Sequence, residues 1–207
     1  RYTGFGVVAL DAEFDGDLDL FIANGKVNVD QPVAGSGLPP PWNTLPEPNL
    51  LYINGADGRF TPLAEKAGTL TSSLEISRGV ASGDIDGDGD VDLLVSNLLG
   101  QARLYRNDAP REGNWLAVRA IDPQLNRDAI GARVSVLIGD RRLSRDVVMS
   151  SGYLSSQSPW VHFGIGEAGK IDYIRVRWPD GSNEQFSAGA VNRAITLKRG
   201  DGAPTDG

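Results

Sequence analysis

Hydrophobic and polar residues alternate with a period of two along several short segments of the chain. In the C-terminal half, Ile174, Val176 and Trp178 alternate with Arg175 and Arg177. Such alternation is typical of a strand with one face in a core and the other in solvent. Further strand-like runs lie at 115–121, 132–138, 143–149, 160–163 and 193–198. Since no segment shows a convincing helical pattern, the chain is predicted to be all-β.

Residues 6–25 and 79–97 form an internal repeat. They read GVVALDAEFDGDLDLFIANG and GVASGDIDGDGDVDLLVSN, and an offset of 73 residues aligns Asp11 with Asp84 and Asp19 with Asp92. Ten of the sixteen acids within residues 1–109 lie in two nine-residue segments, 11–19 and 84–92. So many neighbouring carboxylates repel one another, and this favours a bound cation.

The spacing of these acids favours Ca²⁺, which takes six to eight oxygen ligands at about 2.3–2.6 Å. A glycine in the loop permits the sharp turn that aims alternate carboxylates at one point. We expect about two ions, one per loop. The candidate ligands are Asp84, Asp86, Asp88, Asp90 and Asp92 in the second loop, and Asp11, Glu13, Asp15, Asp17 and Asp19 in the first. Asp90 is expected to offer its carbonyl, and the longer Glu13 to shift or weaken its contact. A solvated acidic turn is the alternative for each loop.

Neither loop fits an EF-hand, which needs a glutamate at position twelve and helices on both sides. Position twelve is Ile22 in one copy and Val95 in the other, and strand-like runs follow both loops. The loops are therefore predicted to connect the strands of β-hairpins.

Both segments resemble the FG-GAP (VCBS-type) repeats of integrin-α-like β-propellers. Gly79-Val80-Ala81 leads into one copy, Phe5-Gly6-Val7 leads into the other, and residues 104–107 echo residues 51–54. The resemblance implies a partial propeller of about two blades over residues 1–110, with calcium loops between blade strands. Because a propeller typically has about four to eight blades, further blades from the same chain or from other subunits are expected. We expect the C-terminal part of a longer protein. The proline-rich segment 31–48 is predicted to be a surface insertion, with Trp42 as a candidate partner contact.

Residues 111–200 resemble the ASPIC/UnbV domain, which follows FG-GAP repeats in the cartilage acidic protein 1 family and its bacterial relatives. The motifs are NRDAIGARV at 126–134, SGYLSSQS at 151–158, HFGIG at 162–166 and VRWPDG at 176–181. The expected fold is a β-sandwich or small barrel that begins near Glu112 to Asn114. A flexible tail is expected at 201–207.

Charge distinguishes the two halves: residues 1–109 carry a net charge of −9 and residues 110–207 a net charge of +2. The acidic balance disfavours a nucleic-acid partner, the lack of cysteine excludes disulfides and thiolate metal sites, and no apolar run reaches the roughly 18 residues of a membrane span.

The basic module is expected to be able to dock against the acidic one, and calcium would weaken that attraction. Arg127 and Arg141–Arg142 are candidate anion or partner contacts; paired or solvated charges are the simpler interpretation.

Two apparent motifs are interpreted as structural. Gly164 to Gly169 fits G-x-G-x-x-G, but a strand-like run follows where a dinucleotide site needs a helix. His162 is the one histidine of the chain, and no G-x-S-x-G motif surrounds the serines near it. Neither nucleotide binding nor a catalytic triad is expected.

These features together favour a non-enzymatic, calcium-binding interaction or scaffold protein that is secreted, extracellular, periplasmic or at the cell surface. Two alternatives stay open. One is a carbohydrate-binding module that stacks sugars on Trp42, Trp160 or Trp178, and the other is an accessory part of a polysaccharide-active or biosynthetic enzyme. The sequence does not identify the protein or glycan partner.

Overall fold

The computed structural model describes residues 1–63, 67–111, 113–125, 127–150 and 152–206. Almost all regular structure in them is β-sheet, which confirms the predicted class; the helical elements are a 3₁₀ turn at Trp42–Thr44 and helix α1 at Thr69–Ser72. Within these ranges no helix has the length and apolar character needed to cross a membrane. Three residues named in the sequence-based expectations lie outside the described residues. They are Glu112 at the expected module boundary, Asn126 in the NRDAIGARV motif and Ser151 in the SGYLSSQS motif.

The N-terminal module contains two blade-like antiparallel sheets. Its strands are β1 Gly4–Leu10, β2 Asp19–Asn24, β3 Glu47–Pro48, β4 Leu50–Asn54, β5 Phe60–Pro62, β6 Leu74–Glu75, β7 Ser77–Gly83, β8 Asp92–Asn97 and β9 Arg103–Tyr105. The first blade has the order β1-β2-β4-β5 and the second β7-β8-β9, while β3 pairs with β6 beside them. In both blades the hairpin of the first two strands is closed by an acidic loop.

The internal repeat extends to the register of strand pairing. Val7 pairs with Ile22 in the first blade, and Val80 pairs with Val95 in the second, at the same offset of 73 residues. Both hairpins also have a register shift in the same place, just before these pairs. The blades pack closely, because a Cβ atom at Gly6 would lie 2.7 Å from the carbonyl oxygen of Arg78.

A hydrophobic core joins the two blades. Alternate residues of the paired strands supply it, as the two-residue period of a strand requires. Phe21 and Ala23 of the first blade and Val80 and Val95 of the second are each 0% exposed. The two acidic hairpins are therefore fixed relative to each other by packing.

The proline-rich insertion is exposed over most of its length but not at its end. Most of residues 31–43 are exposed or half-buried, and Trp42 is 38% exposed. Residues 44–47 are buried, and Glu47 pairs with Glu75 through β3 and β6. The 3₁₀ turn and β3 were not expected here, because prolines disfavour regular structure in the isolated sequence.

The C-terminal module is a sandwich of two sheets. Its strands are β10 Asn114–Asp122, β11 Arg127–Asp128, β12 Arg133–Ile138, β13 Arg141–Asp146, β14 Val161–Gly166, β15 Ile171–Arg177, β16 Asn183–Gly189, β17 Arg193–Lys198 and β18 Ala203–Pro204. In one sheet β10 pairs with β11, β14 and β17, and the other has the order β13-β12-β15-β16-β18. Both sheets contribute to one core, and neither closes on itself among the described residues. Of the two expected forms, the structure is the sandwich.

Three details of this module differ from the sequence-based expectations. The strand expected at 143–149 is β13, which starts at Arg141 directly after the Gly139-Asp140 turn and ends at Asp146. Strand β16 was not expected, because Phe186 is the one large apolar residue in NEQFSAG. The expected flexible tail instead contains β18, whose residues pair with Glu184 and Gln185.

Candidate metal centre

Three aspartates of the second acidic loop converge in space. The loop closes the β7–β8 hairpin, whose last pair is Gly83 with Asp92. Ligand oxygens of Asp84, Asp86 and Asp88 all lie within 4.8 Å of one another. Two oxygens bound to one Ca²⁺ at about 2.4 Å each are at most about 4.8 Å apart. The spacing of the three carboxylates therefore fits a calcium ion.

Backbone amides hold this triad in place. Gly87 N and Gly89 N donate to Oδ1 and Oδ2 of Asp84 at 2.7 and 3.0 Å, and Asp90 N donates to Oδ1 of Asp88 at 3.0 Å. Both glycines have positive φ, 78° and 98°, which side chains rarely permit. The glycines thus let the loop turn its amides toward its own carboxylates.

Desolvation, neighbouring charges and hydrogen bonds shift the pKa values of Asp86 and Asp88 in opposite directions. Desolvation, then the charges of Asp88 and Asp92, raises the pKa of Asp86. The backbone hydrogen bond from Asp90 lowers the pKa of Asp88. A cation favours the charged form of each carboxylate and would remove this repulsion.

The other two acids of this loop already have protein partners. Asp92 accepts hydrogen bonds from Ile85 N and Asn107 N, both at 2.9 Å. The buried Asp90 places Oδ1 3.1 Å from Nε of Arg111, whose NH2 also lies 2.8 Å from Oδ2 of Asp88. The carboxylate of Asp92 thus ties the loop to the segment that follows β9, and that of Asp90 pairs with Arg111, which leaves the carbonyl of Asp90 for the expected contact.

The first acidic loop repeats the same hydrogen bonds. Their donors and acceptors are Ala12 N to Asp19 Oδ2, Gly16 N to Asp11 Oδ2, Asp17 N to Asp15 Oδ1 and Asn54 N to Asp19 Oδ1, at 2.8–2.9 Å. Each bond has a counterpart in the second loop, and Asn54 takes the place of Asn107. The alignment of the two acidic motifs therefore extends to their three-dimensional structure.

The first loop differs in how deeply it is buried. Asp11 is 2% exposed, and its Oδ1 is buried without a hydrogen-bond partner among the described residues. Desolvation by burial, then the charge of Asp15, raises the pKa of Asp11 to about 7. Among the described residues, the acids of 11–19 do not form a group of three within 4.8 Å. The candidate ligands Glu13, Asp15 and Asp17 are half-buried.

Phe14 occupies the position that Gly87 has in the second loop. It adopts a φ of 67°, unusual for an aromatic residue, and is 1% exposed. Its ring packs with Trp115 and Ala117 of β10. The aromatic side chain thus ties the first loop to the sandwich.

Strand β14 of the sandwich runs between the two loops and contacts both. Nε2 of His162 lies 2.8 Å from the carbonyl oxygen of Gly89 in the second loop. Gly164 N donates to Oδ2 of Asp11 at 2.9 Å, and Gly166 N donates to the carbonyl oxygen of Phe14 at 2.8 Å. One strand of the C-terminal module therefore links both acidic loops.

Arginines of strand β13 cap the first loop. Arg141 donates to the carbonyl oxygen of Asp15 at 2.7 Å, and Arg145 donates to that of Gly16 at 2.9 Å. The basic module thus docks on the acidic loop, as the charge distribution predicted. Arg111 and Arg145 were not predicted as loop contacts. A charge count does not show which loop residue an arginine reaches, whether the partner is about 20 positions away, as Asp88 and Asp90 are from Arg111, or 129 positions away, as Gly16 is from Arg145.

The glycine-rich turn and the histidine have structural roles in this interface. A Cβ atom at Gly164 would collide with Asp11 and Phe14, so the glycine permits close approach of the loop. His162 lies against Trp115 and Phe14, and burial lowers its pKa to about 4. The glycine-rich turn at 164–169 is followed by strand β15 and not by the helix that a dinucleotide site requires.

A cleft of about 800 Å³ lies between the blades and the sandwich. Asp11, Asp84, His162 and Trp160 are among its lining residues, and Trp160 is 37% exposed. Trp178, in contrast, is 1% exposed within the sandwich core. The expectation that Trp178 could stack against a sugar is therefore wrong, because its ring is not accessible.

Comparison with known proteins identifies both modules. Residues 11–95 match the FG-GAP-like repeat family, and residues 122–204 match the ASPIC and UnbV family. The chain combines FG-GAP-like repeats with an ASPIC and UnbV domain. This FG-GAP and ASPIC/UnbV chain is 25% identical to cartilage acidic protein 1 of Xenopus tropicalis over 201 residues, which cover 92% of the chain and 28% of that protein. The Homo sapiens protein of the same name is 28% identical over 122 residues, which cover 55% of the chain and 18% of that protein. The chain therefore spans less than a third of the length of these relatives.

Proposed function

We propose that the chain is a non-enzymatic interaction module, stabilised by Ca²⁺, that works outside the cytoplasm. The observation that carries this proposal is the convergence of Asp84, Asp86 and Asp88 within 4.8 Å. Extracellular calcium modules have dissociation constants of about 10⁻⁴–10⁻³ M, so their ions are held where calcium is abundant. The FG-GAP-like architecture and the similarity to a protein named for cartilage support the location.

The ligands proposed for the two ions are the acids of the two loops. The list is Asp84, Asp86, Asp88, Asp90 and Asp92 for one ion, and Asp11, Glu13, Asp15, Asp17 and Asp19 for the other. When bound, Ca²⁺ supplies positive charge that neutralises the carboxylates and fixes the loop. The buried, unpartnered Oδ1 of Asp11 supports a cation at the first loop as well.

The proposed role of the ions is to stabilise the joint between the modules. Each loop contacts β14 of the sandwich, through Gly89 in one case and Asp11 in the other. Because the loops carry the contact, an ion that rigidifies them also stabilises the orientation of the sandwich. A fixed arrangement of blades and sandwich would present the cleft and the outer surfaces to a protein or glycan partner.

The carboxylates of Asp11 and Asp84 already accept hydrogen bonds within their loops, and this supports a non-enzymatic function. Glycoside hydrolysis needs two carboxyl groups about 5–9.5 Å apart across a sugar. Asp11 and Asp84 both line the cleft, but each accepts hydrogen bonds from the backbone of its own loop. These hydrogen bonds orient the two carboxylates toward their own loops and not toward a bound sugar.

Calorimetric titration with Ca²⁺ tests the proposal. The variants Asp88→Asn and Asp15→Asn keep an oxygen that can accept the hydrogen bond from Asp90 N or Asp17 N, and they remove one ligand charge. We expect two ions per wild-type chain, one fewer in each variant, and a melting temperature that falls with chelator. Asp140→Asn, at the exposed turn between β12 and β13, is the matched control. Absence of binding heat together with an unchanged melting temperature in chelator would contradict the proposal.

A further inference from the structure

The outer face of the five-stranded sheet carries a cluster of arginines. Val134, Val136, Ile174 and Val176 point into the sandwich core and are each 0% exposed. The alternate residues of the same strands therefore lie on the opposite face. We call this the arginine face, and it comprises Arg133, Ser135, Leu137, Arg142, Ser144, Asp146, Tyr173, Arg175, Arg177, Asn183, Gln185 and Ser187.

Strand pairing places these side chains side by side. Ser135 of β12 pairs with Arg175 of β15 on one side and with Ser144 of β13 on the other. Leu137 of the same strand lies between Arg142 and Tyr173. Because directly paired residues have Cβ atoms about 4.5–5.5 Å apart, the arginines from two strands flank one central strand.

The positive charge of the arginine face is largely uncompensated. Its single acid, Asp146, forms an ion pair with Arg133 at 2.7 Å. In the part of the chain that the structure describes, Arg142, Arg175 and Arg177 form no ion pair with a carboxylate. Three positive charges on one sheet face thus lack a counter-charge.

A small pocket lies within this cluster. Ser135, Leu137, Arg142, Tyr173 and Arg175 line it, and its volume is about 20 Å³. A space of this size holds about one water-sized group, which is enough for a single anion oxygen at the floor.

Polar groups converge on the pocket from its sides. NH2 of Arg142 donates to Oγ of Ser135 at 3.3 Å, and the guanidinium of Arg175 lies 6.0 Å from the centre of the Tyr173 ring. Nε of Arg175 is buried and has no acceptor among the described residues. A buried N–H without an acceptor is unfavourable, and an anion oxygen would satisfy it.

We propose that the arginine face binds an acidic polysaccharide through its sulfate or carboxylate groups. Guanidinium groups present a planar fork of N–H donors that matches such oxyanions. The exposed Ser144 and Ser187 and the half-buried Asn183 and Gln185 offer hydrogen bonds to sugar hydroxyls. The proposal goes beyond the calcium-dependent function and does not require an ion in either loop.

The composition of the face favours a saccharide over a protein partner. The centre of a protein interface is normally apolar and poor in charged residues. Here Leu137 and Tyr173 are the two residues with large apolar groups on a face that is otherwise charged or polar. A hydrated, hydroxyl-rich and negatively charged polymer matches that surface better than the side of a folded protein.

Calorimetric titration of the full chain with polymers of defined chemistry tests the proposal. The probes are dextran sulfate, polygalacturonate, uncharged dextran and poly-L-glutamate at physiological ionic strength. We expect binding of dextran sulfate or polygalacturonate, and none of dextran. Acidification below the pKa of the uronate groups separates the two ligand types, because it weakens a carboxylate ligand and leaves a sulfate ligand charged.

Charge-matched variants locate the site. In Arg142→Gln with Arg175→Gln we expect the affinity to fall by at least about tenfold, from the loss of two charge-assisted contacts. Lys198→Gln removes the same type of charge from β17 of the other sheet, and we expect less than about a twofold effect. If the double glutamine variant does not fold, Arg175→Lys serves instead; it keeps the charge but loses the fork, and weaker binding is again expected.

Three results would overturn the proposal. They are equal losses in the arginine and Lys198 variants, binding of poly-L-glutamate as tight as that of the polysaccharides, and no binding of either acidic polysaccharide. Repeating the titration in chelator separates this site from the calcium proposal. We expect an unchanged affinity there, so failure of either proposal leaves the other measurable.

Discussion

Gly164 donates its backbone N–H to Oδ2 of Asp11 at 2.9 Å, across 153 positions of the sequence. The same oxygen accepts a hydrogen bond from Gly16 within the acidic loop. Asp11 is therefore shared between the turn of the first acidic loop and a strand of the neighbouring module. The contact depends on the absence of a side chain at Gly164, since a Cβ atom there would collide with Asp11 and Phe14.

Replacement of this glycine should weaken the joint between the modules. We expect Gly164→Ala to lower the free energy of unfolding by about 1–3 kcal/mol, as overpacking of a tight contact does. Urea denaturation measures the change. Gly169→Ala is the matched control from the same glycine-rich segment, because a Cβ atom there meets nothing within 4 Å. Equal stabilities of the two variants would contradict this account of the contact.

Local patterns in the sequence were enough to predict the acidic hairpins. The offset of 73 residues fixed the correspondence of Val7 with Val80, and the loops repeat their hydrogen bonds at the same offset. Such features depend on neighbours in the chain, and therefore on residue type and spacing. The all-β class followed for the same reason.

Contacts between the modules could not be predicted in this way. His162 meets Gly89 from 73 positions away, and Arg145 meets Gly16 from 129 positions away. Neither pair has a local signal, because the strand pattern shows which residues face a core but not what lies on the other face. The arginine of the joint itself, Arg111, is preceded by proline and followed by an acid, and nothing in that segment indicates its partners Asp88 and Asp90.

Arg111 should compete with calcium at the second loop. Its guanidinium contacts Asp88 and Asp90, so a cation that binds there must displace or weaken those ion pairs. We expect Arg111→Gln to tighten Ca²⁺ binding about two- to fivefold, the effect of an exposed ion pair worth up to about 1 kcal/mol. Calorimetry measures it, and Arg119→Gln, which removes a charge paired with the distant Asp128, is the control. Weaker binding in Arg111→Gln would show that the arginine supports the site instead.

At position 14, the glycine variant should be more stable than the alanine variant, which is the reverse of the usual order. In either variant, loss of the buried Phe14 ring should lower the free energy of unfolding by about 3–5 kcal/mol. Because its φ is 67°, alanine retains the backbone strain of about 1 kcal/mol or more that glycine relieves. We therefore expect Phe14→Gly to be more stable than Phe14→Ala in urea denaturation.

Phe21 supplies the control for that comparison. Its ring is 0% exposed and it lies within strand β2, without a positive φ. We expect Phe21→Gly to be less stable than Phe21→Ala by roughly 0.5–1 kcal/mol, because glycine loses more backbone freedom on folding. The same order of alanine and glycine at both positions would refute the strain at Phe14.

Asp180 should make the sandwich sensitive to acid. It lies in the turn between β15 and β16, where its Oδ1 accepts hydrogen bonds from Oγ and N of Ser182, and it pairs with Arg199. The bonds from Ser182, with the contact to Arg199, lower the pKa of Asp180 to about 2. The folded pKa is thus below the unfolded value of about 3.9. The stabilisation is therefore complete above about pH 4 and is lost as the pH falls through about 2.

The variant Asp180→Asn isolates this contribution. Asparagine keeps an acceptor for Ser182 but has no charge for Arg199, so we expect lower stability than wild type at pH 6. The difference should shrink between about pH 4 and pH 2, because protonation of the wild-type carboxyl makes it resemble the amide. Urea midpoints at pH 6, 4 and 2.5 measure it, with Asp140→Asn as the control for loss of one negative charge at an exposed turn. A difference that stayed constant over this range would show that the ion pair with Arg199 does not contribute to stability.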